Sequence, residues 1–466
     1  MMKKRVCLFG ASQLGEIAFQ QLNSKYEINY FIDNSKEKQG TFFCDHQIIS
    51  PAEACKMNDI CIIISSTYDI EIAKQLIKMG IKSFGVFTIT HEKHHVSFFD
   101  YYHIDDFSIN KNKICLLVQN YSGSNTFCLS KHIPKSISDT YEVSVLHKGK
   151  LTPSYYYDLI TSYLMIATHD YRCAVDQINI QLWHGIPLKG ISYMSNYPYQ
   201  NAEANHIAWS KLDYIGSSSQ TVSTLFNACF GVTGAKYKIL GYPRNDFLFA
   251  DTSKIKLKTI LRQDIADQKV IFYMPTYRKN VYGESNGESS QLISQLETKE
   301  LEAFNQFLSR HDFILCIKQH PEEAKLKKQY SHIYTLLEED LEQAQVDLYE
   351  LLGAADLLIT DYSSVYFDYL LLDRPVVFFT PDLEKYSSDR GFLLNPMEYW
   401  LAGEIVSSLD SLQYAMINAI YKEDRFKQRR RELTKVFHHY QDNKAAERTW
   451  DFIDQLLQGG VSKERR

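Results

Sequence analysis

A chain of 466 residues, 45% hydrophobic and 23% charged, has a globular composition and length for about two to four domains. That balance excludes a disordered chain, a collagen and a coiled coil. Lys and Arg number 51 against 56 Asp and Glu, a formal charge of −5, which argues against a dedicated nucleic-acid binder.

Residues 1–90 read as a small Rossmann-like domain. RVCLFGA, YEINYFIDN and DICIIISS are strand-like, and QLGEIAFQQLNS and IEIAKQLIKMG are amphipathic helices between them. Strands alternating with helices predict a parallel sheet. Residues 91–112 are rich in His and aromatics without a clear period and read as a linker or docking segment. A second βα alternation starts at KICLLVQN and runs past ILGYPRND. A third starts at KVIFYMPT and continues through FILCIKQHP and DLLITDYSS, followed by a helical tail. RKNVYGESNGESSQLISQLE (278–297) is polar and rich in Gly and Ser, a mobile loop by composition. The expected class is α/β: two facing Rossmann-like domains preceded by a smaller one, with the cleft between the facing pair as the ligand site.

The nine cysteines are scattered singly with no CxxC pair, several within apolar strand-like runs. They read as buried thiols of a reducing compartment. The apolar run in MMKKRVCLFGAS is too short for a signal peptide, and no segment approaches the ~20 apolar residues of a membrane span. The expected location is cytoplasmic, with peripheral contact at the cell membrane left open.

Two motifs remain ambiguous by themselves. Gly10 and Gly15 lie between a strand and a helix, with Asp33 ending the next strand. The pattern suits a nucleotide phosphate and ribose, or a structural remnant lacking the middle glycine of the dinucleotide fingerprint. His91-Glu92-Lys93-His94-His95 formally satisfies HExxH, but its flanks show no helical apolar face, so no metal site and no cofactor is expected.

The clusters that point to chemistry all follow strands. QLWHGIPLKG places His184 at a strand end, where an imidazole near neutrality can accept an alcohol proton. Gly185 lets the backbone approach a ligand closely, and Pro187 is placed to open a helix. GYPRND offers Arg244 as a planar fork for phosphate oxygens. MPTYR brings Thr276 and Arg278 to a strand edge, and CIKQHP brings Lys318 and His320. In TDYSSVYFDYLL, Asp361 ends a strand, Ser363 and Ser364 stand at a helix start suited to an anion, and Asp368 follows about one turn on. Five polar clusters after strands in two consecutive arrays predict a polyanion held between two domains.

WHGIPLKG, GYPRND, MPTYR, KQHP and TDYSSVYFDYLLLDRPVVFF, in this order, resemble the CDP-glycerol glycerophosphotransferase family over roughly 113–455. The resemblance implies the two-Rossmann GT-B fold. Its acceptor-side half would lie at 113–250 and its nucleotide-donor half, with the helical tail, at 251–466. It implies transfer of glycerol phosphate from CDP-glycerol to an acceptor hydroxyl with release of CMP, in the synthesis of teichoic acid or a related surface or spore polysaccharide. His184 would be the general base and His320 would contact the pyrophosphate or assist the leaving group. Arg244, Thr276 and Lys318 would bind the donor, Ser363 and Ser364 would hold phosphate, and Asp368 would contact the nucleotide.

The implied partners are CDP-glycerol or a related CDP-activated donor and a lipid-linked or polymeric polyol or sugar acceptor, with no nucleic acid. RFKQRRR (425–431) could meet anionic headgroups at ~1 kcal/mol per cation, or be a solvated helix face. Ile186 stands where the family usually has Thr, and Gln319 where an apolar residue is common. Ribitol phosphate or a nucleotide sugar as donor, and a non-catalytic nucleotide-binding protein, are the alternatives.

Overall fold

The computed structural model describes residues 3–57, 59–90, 93–169, 176–196, 202–265, 267–276, 296–318 and 329–459. Their strands, in chain order, are β1 (Lys4–Phe9), β2 (Tyr26–Ile32), β3 (Phe42–Phe43), β4 (His46–Ile49), β5 (Cys61–Ile64), β6 (Ser83–Thr90), β7 (Lys93–Asp100), β8 (Asn110–Val118), β9 (Glu142–His147) and β10 (Ser162–Ala167). There follow β11 (Ile178–Gln181), β12 (Tyr214–Ser217), β13 (Tyr237–Ile239), β14 (Lys269–Met274), β15 (Phe313–Lys318), β16 (Ile333–Leu336), β17 (Leu357–Thr360), β18 (Val376–Phe379) and β19 (Glu404–Val406).

The described strands form three sheets, ordered β3-β4-β2-β1-β5-β6-β7, β13-β12-β11-β10-β8-β9 and β16-β15-β14-β17-β18-β19. In the first, β4-β2-β1-β5-β6 run parallel. Its order reverses beside β1, the place where a doubly wound sheet opens a crevice. Val6, Leu8, Phe31 and Ile63 pack there against Ala18 and Leu22 of the helix Gln13–Leu22. Every pairing in the third sheet is parallel. Its strands are buried on both faces, as Leu315 with Ile359 on one and Cys316 with Phe378 on the other show. Phe304 and Phe307 of Thr298–Arg310 and Leu412 and Met416 of Leu409–Tyr421 share one core with Leu315 and Ile359, and Tyr366 meets Phe378 at 4.8 Å on the opposite face.

The chain divides into two compact units: Met1–Cys115 with Glu142–Met165 and Tyr171–Gln177, and Leu116–Tyr141 with Ile166–Asp170 and Ile178–Arg466.

The stretch 91–112 is not a plain linker. β7 pairs antiparallel with β6 along its whole length, from Ser83 opposite Asp100 to Thr90 opposite Lys93. Phe99 turns inward at 2% exposure while Phe98 stays 48% exposed. Adjacent phenylalanines with opposite fates blur the period-2 signal. His94, the described residue of the HExxH match with a ring contact, stacks on Phe87 at 5.8 Å; His91 and Glu92 lie outside the described residues.

Among the described residues no helix is long and apolar enough to cross a membrane. The basic run lies at the helix Lys427–Phe437. Its arginines are engaged within the fold: Arg425 with Glu404, Arg429 with the Tyr399 carbonyl, Arg430 with Asp424, and Arg431 with Asp373 at 2.7 Å. The described cysteines are free, with Cys7, Cys115, Cys128, Cys229 and Cys316 buried and Cys61 partly so.

Candidate active site

The second unit carries the predicted clusters at the C-terminal ends of its strands. Gln181 of β11 lies opposite Ile215 of β12, and Ser217 of β12 opposite Ile239 of β13. The chain segments leading to His184 and to Arg244 therefore leave the sheet from one edge. Beyond β11, Trp183 adopts a left-handed φ of 53°. Its N–H donates to Gln181 Oε1 at 2.8 Å and its carbonyl accepts from Asn125 Nδ2 at 2.7 Å. Its indole packs among Trp209 and Phe230 at 5.0 and 5.7 Å between ring centres. Aromatic burial of this size anchors the turn.

The anchored turn fixes the next ring. His184 stacks on His169 with centres 4.6 Å apart and planes 7° from parallel, and meets Trp183 at 4.1 Å. His184 Nδ1 is buried without a hydrogen-bond partner. Burial, the neighbouring His169, and the cations Arg244 and Lys189 hold its pKa well below the ordinary imidazole value, against a smaller opposing effect of the Thr168 backbone. The shift favours the neutral ring over the imidazolium.

Gly185 follows with φ 148°, and a Cβ there would lie 2.4 Å from Ser364 Oγ. The close approach at this glycine is to protein, where the sequence suggested a ligand. Pro187 is buried but opens no helix. The chain instead runs as a loop, with Leu188 O accepting from Leu393 N and Gly190 N donating to Gly391 O, both at 2.9 Å. Ile186 is fully buried, so its side chain lies in the packing beneath the loop.

Arg244 is buried, and its fork is spent on the protein. One terminal nitrogen donates to the Gly123 carbonyl at 3.1 Å and the His184 carbonyl at 2.8 Å; the other reaches Asp368 at 2.5 Å. Burial disfavours its charge, but Asp368, Tyr349 and Tyr242 outweigh that and push its pKa up. Asp368 is 0% exposed and also accepts from Tyr349 Oη at 2.7 Å and Asn245 Nδ2 at 3.0 Å. The sequence suggested ligand contacts for Arg244 and Asp368; the partners they show here are protein groups. They hold each other, and Arg244 holds the backbone of His184.

In the third sheet Met274 of β14 lies opposite Thr360 of β17, so Thr276 and Asp361 leave side by side. Asp361 Oδ1 accepts from Thr276 N at 2.8 Å, Thr276 Oγ1 at 2.7 Å and Tyr362 N at 2.6 Å. Ser363 and Ser364 are partly buried ahead of a helix of only five residues, Val365–Tyr369. Lys318 of β15 lies opposite Leu336 of β16, and its ammonium is 3.4 Å from Glu338. Arg278 and His320 lie outside the described residues.

A loop absent from the sequence prediction completes the arrangement. Tyr121 N and Ser122 Oγ donate to Glu338. Gly123 N and Ser124 N donate to Asp347 at 3.1 and 3.0 Å. Burial pushes the Asp347 carboxyl up to about 7 against those amides, with Glu350 adding to the rise. The signal was available, because QNYSGSN follows the apolar run ICLLV as the other clusters follow theirs. His169 has the same signature after β10.

In the first unit, Asp33 is committed to protein: it accepts from Ala11 N at 3.2 Å, Ser35 N at 2.9 Å and Lys38 Nζ at 3.1 Å. Gly15 sits so close to Gly10 that a Cβ would lie 1.9 Å from its carbonyl oxygen. Both glycines and the aspartate have local packing reasons to be there.

A family profile described as CDP-glycerol:poly(glycerophosphate) glycerophosphotransferase matches residues 84–455, and a C2185-like N-terminal profile matches residues 2–87. The teichoic acid poly(glycerol phosphate) polymerase of Bacillus spizizenii is 29% identical over 263 residues, 53% of this chain and 62% of that protein. The chain thus spans less than two thirds of that relative's length. The teichoic acid ribitol-phosphate primase of the same organism is 28% identical over 301 residues, 61% of this chain and 72% of the primase. A solved structure of the wall teichoic acid polymerase TagF superposes with a TM-score of 0.60 at 23% identity, covering 76% of this chain and 91% of that one. The likeness is one of fold: two Rossmann-like halves of GT-B type, here preceded by a smaller Rossmann-like sheet.

Proposed function

The chain belongs to the CDP-glycerol:poly(glycerophosphate) glycerophosphotransferase family, and from that premise we propose that it transfers glycerol phosphate from CDP-glycerol to an acceptor hydroxyl in the synthesis of teichoic acid or a related surface polymer. The observation that carries the reading is His184, neutral, anchored at a strand end and backed by Gly185 against Ser364.

In the reaction, the acceptor hydroxyl gives its proton to the imidazole as its oxygen attacks the phosphorus bearing glycerol. The bond from that phosphorus to the bridging oxygen breaks, and CMP leaves with that oxygen. Transfer of this kind depends on alignment and on cations and donors that stabilise phosphate charge. Lys318, Thr276, Arg278, Ser363, Ser364 and His320 are the groups assigned to the donor, with His320 at its diphosphate. Gly185 and Pro187 shape the loop, Asp361 orients Thr276, and Arg244 with Asp368 fixes the His184 turn. The acceptor is a lipid-linked or polymeric polyol at the cytoplasmic face of the membrane.

Purified protein should release CMP from CDP-glycerol when given such an acceptor. His184→Ala and His320→Ala should each lower that rate by about 10²–10⁴-fold while the fold persists. Unchanged release in both variants would overturn the mechanism. A second reading, ribitol phosphate transfer, is favoured by the ribitol-phosphate primase among the relatives. Turnover of CDP-ribitol with inert CDP-glycerol would select it, and turnover of nucleotide sugars alone would select a glycosyltransferase. Cytidine nucleotide binding without turnover on any donor would mark a binding protein.

A further inference from the structure

His169 follows β10 as His184 follows β11, and those strands are neighbours in the second sheet. The adjacency brings two imidazoles face to face, 4.6 Å apart and within 7° of parallel. Gln181, at the end of β11, donates from Nε2 to the His169 carbonyl at 3.1 Å, so the two loops are also joined through backbone. His184 also meets the anchored Trp183 ring at 4.1 Å. The imidazole assigned as base therefore touches both an indole and a second imidazole.

The geometry points to His169 as a positioning residue for the transfer reaction: its ring fixes the plane of His184, and its charge state governs whether His184 takes a proton. The inference rests on the reading of His184 as the base. A tilted indole and a stacked imidazole against the ring restrict rotation about the side-chain bonds, and an aimed nitrogen is what the proton transfer needs. Two rings at this distance repel when both are cationic. Among the described residues, the charged and titratable groups acting on His184 are His169, Arg244 and Lys189, all potential cations, and Arg244 is balanced by Asp368. His169 is the member of that set stacked on the His184 ring.

Two variants of the full chain separate the plane from the charge. His169→Ala removes both, and His169→Phe restores a flat ring without a proton. His169→Ala should lower kcat for CMP release by about tenfold or more with KM for CDP-glycerol changed less than about twofold. His169→Phe should recover most of kcat, and the acid limb of its kcat profile should move to higher pH, because a cationic neighbour no longer opposes protonation of His184. Thermal melting reports on folding. Wild-type kcat and an unmoved acid limb in His169→Ala would overturn the proposal, as would a His169→Phe variant no better than Ala with an unmoved limb. Should the wild-type chain turn over no donor at all, the reading of His184 as base fails instead. Imidazole NMR then decides this inference: the His184 titration midpoint rises in His169→Phe if it holds and stays put if it does not.

Discussion

Arg244 and Asp368 meet at 2.5 Å in the interior, one from the turn after β13 and the other from the short helix after β17, 124 positions apart in sequence. The guanidinium that binds Asp368 also binds the His184 carbonyl. The backbone of the base is thus tied, through one buried cation, to the half expected to hold the donor.

Removing one partner of such a pair leaves the other charge buried. Asp368→Ala should destabilise the chain by about 3–5 kcal/mol, since Tyr349 and Asn245 lose an acceptor at the same time. The double variant Arg244→Met with Asp368→Leu should recover much of that loss, because no isolated charge remains. Urea unfolding of both variants measures the difference. A double variant as unstable as the sum of its parts would show that the contacts matter more than the charge balance.

Gly185 supports a second prediction. Its φ of 148° and the 2.4 Å approach of Ser364 Oγ leave no room for a side chain. Gly185→Ala should displace the His184 turn and lower CMP release by about 10²-fold, together with strain of order 1–3 kcal/mol. Adding Ser364→Gly removes the atoms in the way and should restore stability in part, while the φ penalty remains. Melting curves and turnover of the single and double variants test this together; a Gly185→Ala chain with unchanged turnover would contradict it.

Much of this arrangement is legible as apolar runs that stop at a polar residue. FILCIK ending at Lys318 and DLLIT ending before Asp361 announce strand ends, and parallel strands open their ligand sites there. Which way a side chain then points is not in the pattern. Asp368 lies in a helix whose neighbours Tyr366, Phe367 and Tyr369 are all buried, so it has no solvent face, and its spacing from Ser364 suggested a ligand contact when its partner was Arg244. The His169–His184 stack depends on β10 and β11 being neighbours, which no local pattern states. β7 was hidden for the opposite reason, because Phe98 and Phe99 look alike in sequence and differ only in the face they take.

Asp347 predicts a pH dependence of stability. Its carboxyl is raised from 3.8 to about 7 in the folded chain. Between those values the folded state binds the proton and the unfolded state does not. Its contribution is therefore full below the unfolded value and is lost as pH rises through about 7. His184 has the opposite sign: its lowered pKa contributes stability above the ordinary imidazole range that is lost on acidification below it. Asp347→Asn, which cannot ionise, should gain in melting temperature relative to wild type as pH rises from about 5 to 8. A difference that is flat across that range would mean that Asp347 is charged throughout.

Asp33 allows the last test, in the first unit. Its carboxylate joins the turn after β1, through Ala11 N, to the segment after β2, through Ser35 N. Lys38 binds both Asp33 and the Ala11 carbonyl, at 3.1 and 2.8 Å. Loss of the carboxylate leaves the Ala11 amide without its acceptor at the point where the glycine turn opens. Asp33→Ala should lower the stability of this unit by about 1–3 kcal/mol in nucleotide-free protein, with faster hydrogen exchange at the amides of Ala11 and Ser35. Lys38→Ala should cost less, because the lysine is 46% exposed and its ion pair is screened by water. An Asp33→Ala chain as stable as wild type until a nucleotide is added, and weaker only in binding it, would instead make this carboxylate a ribose ligand.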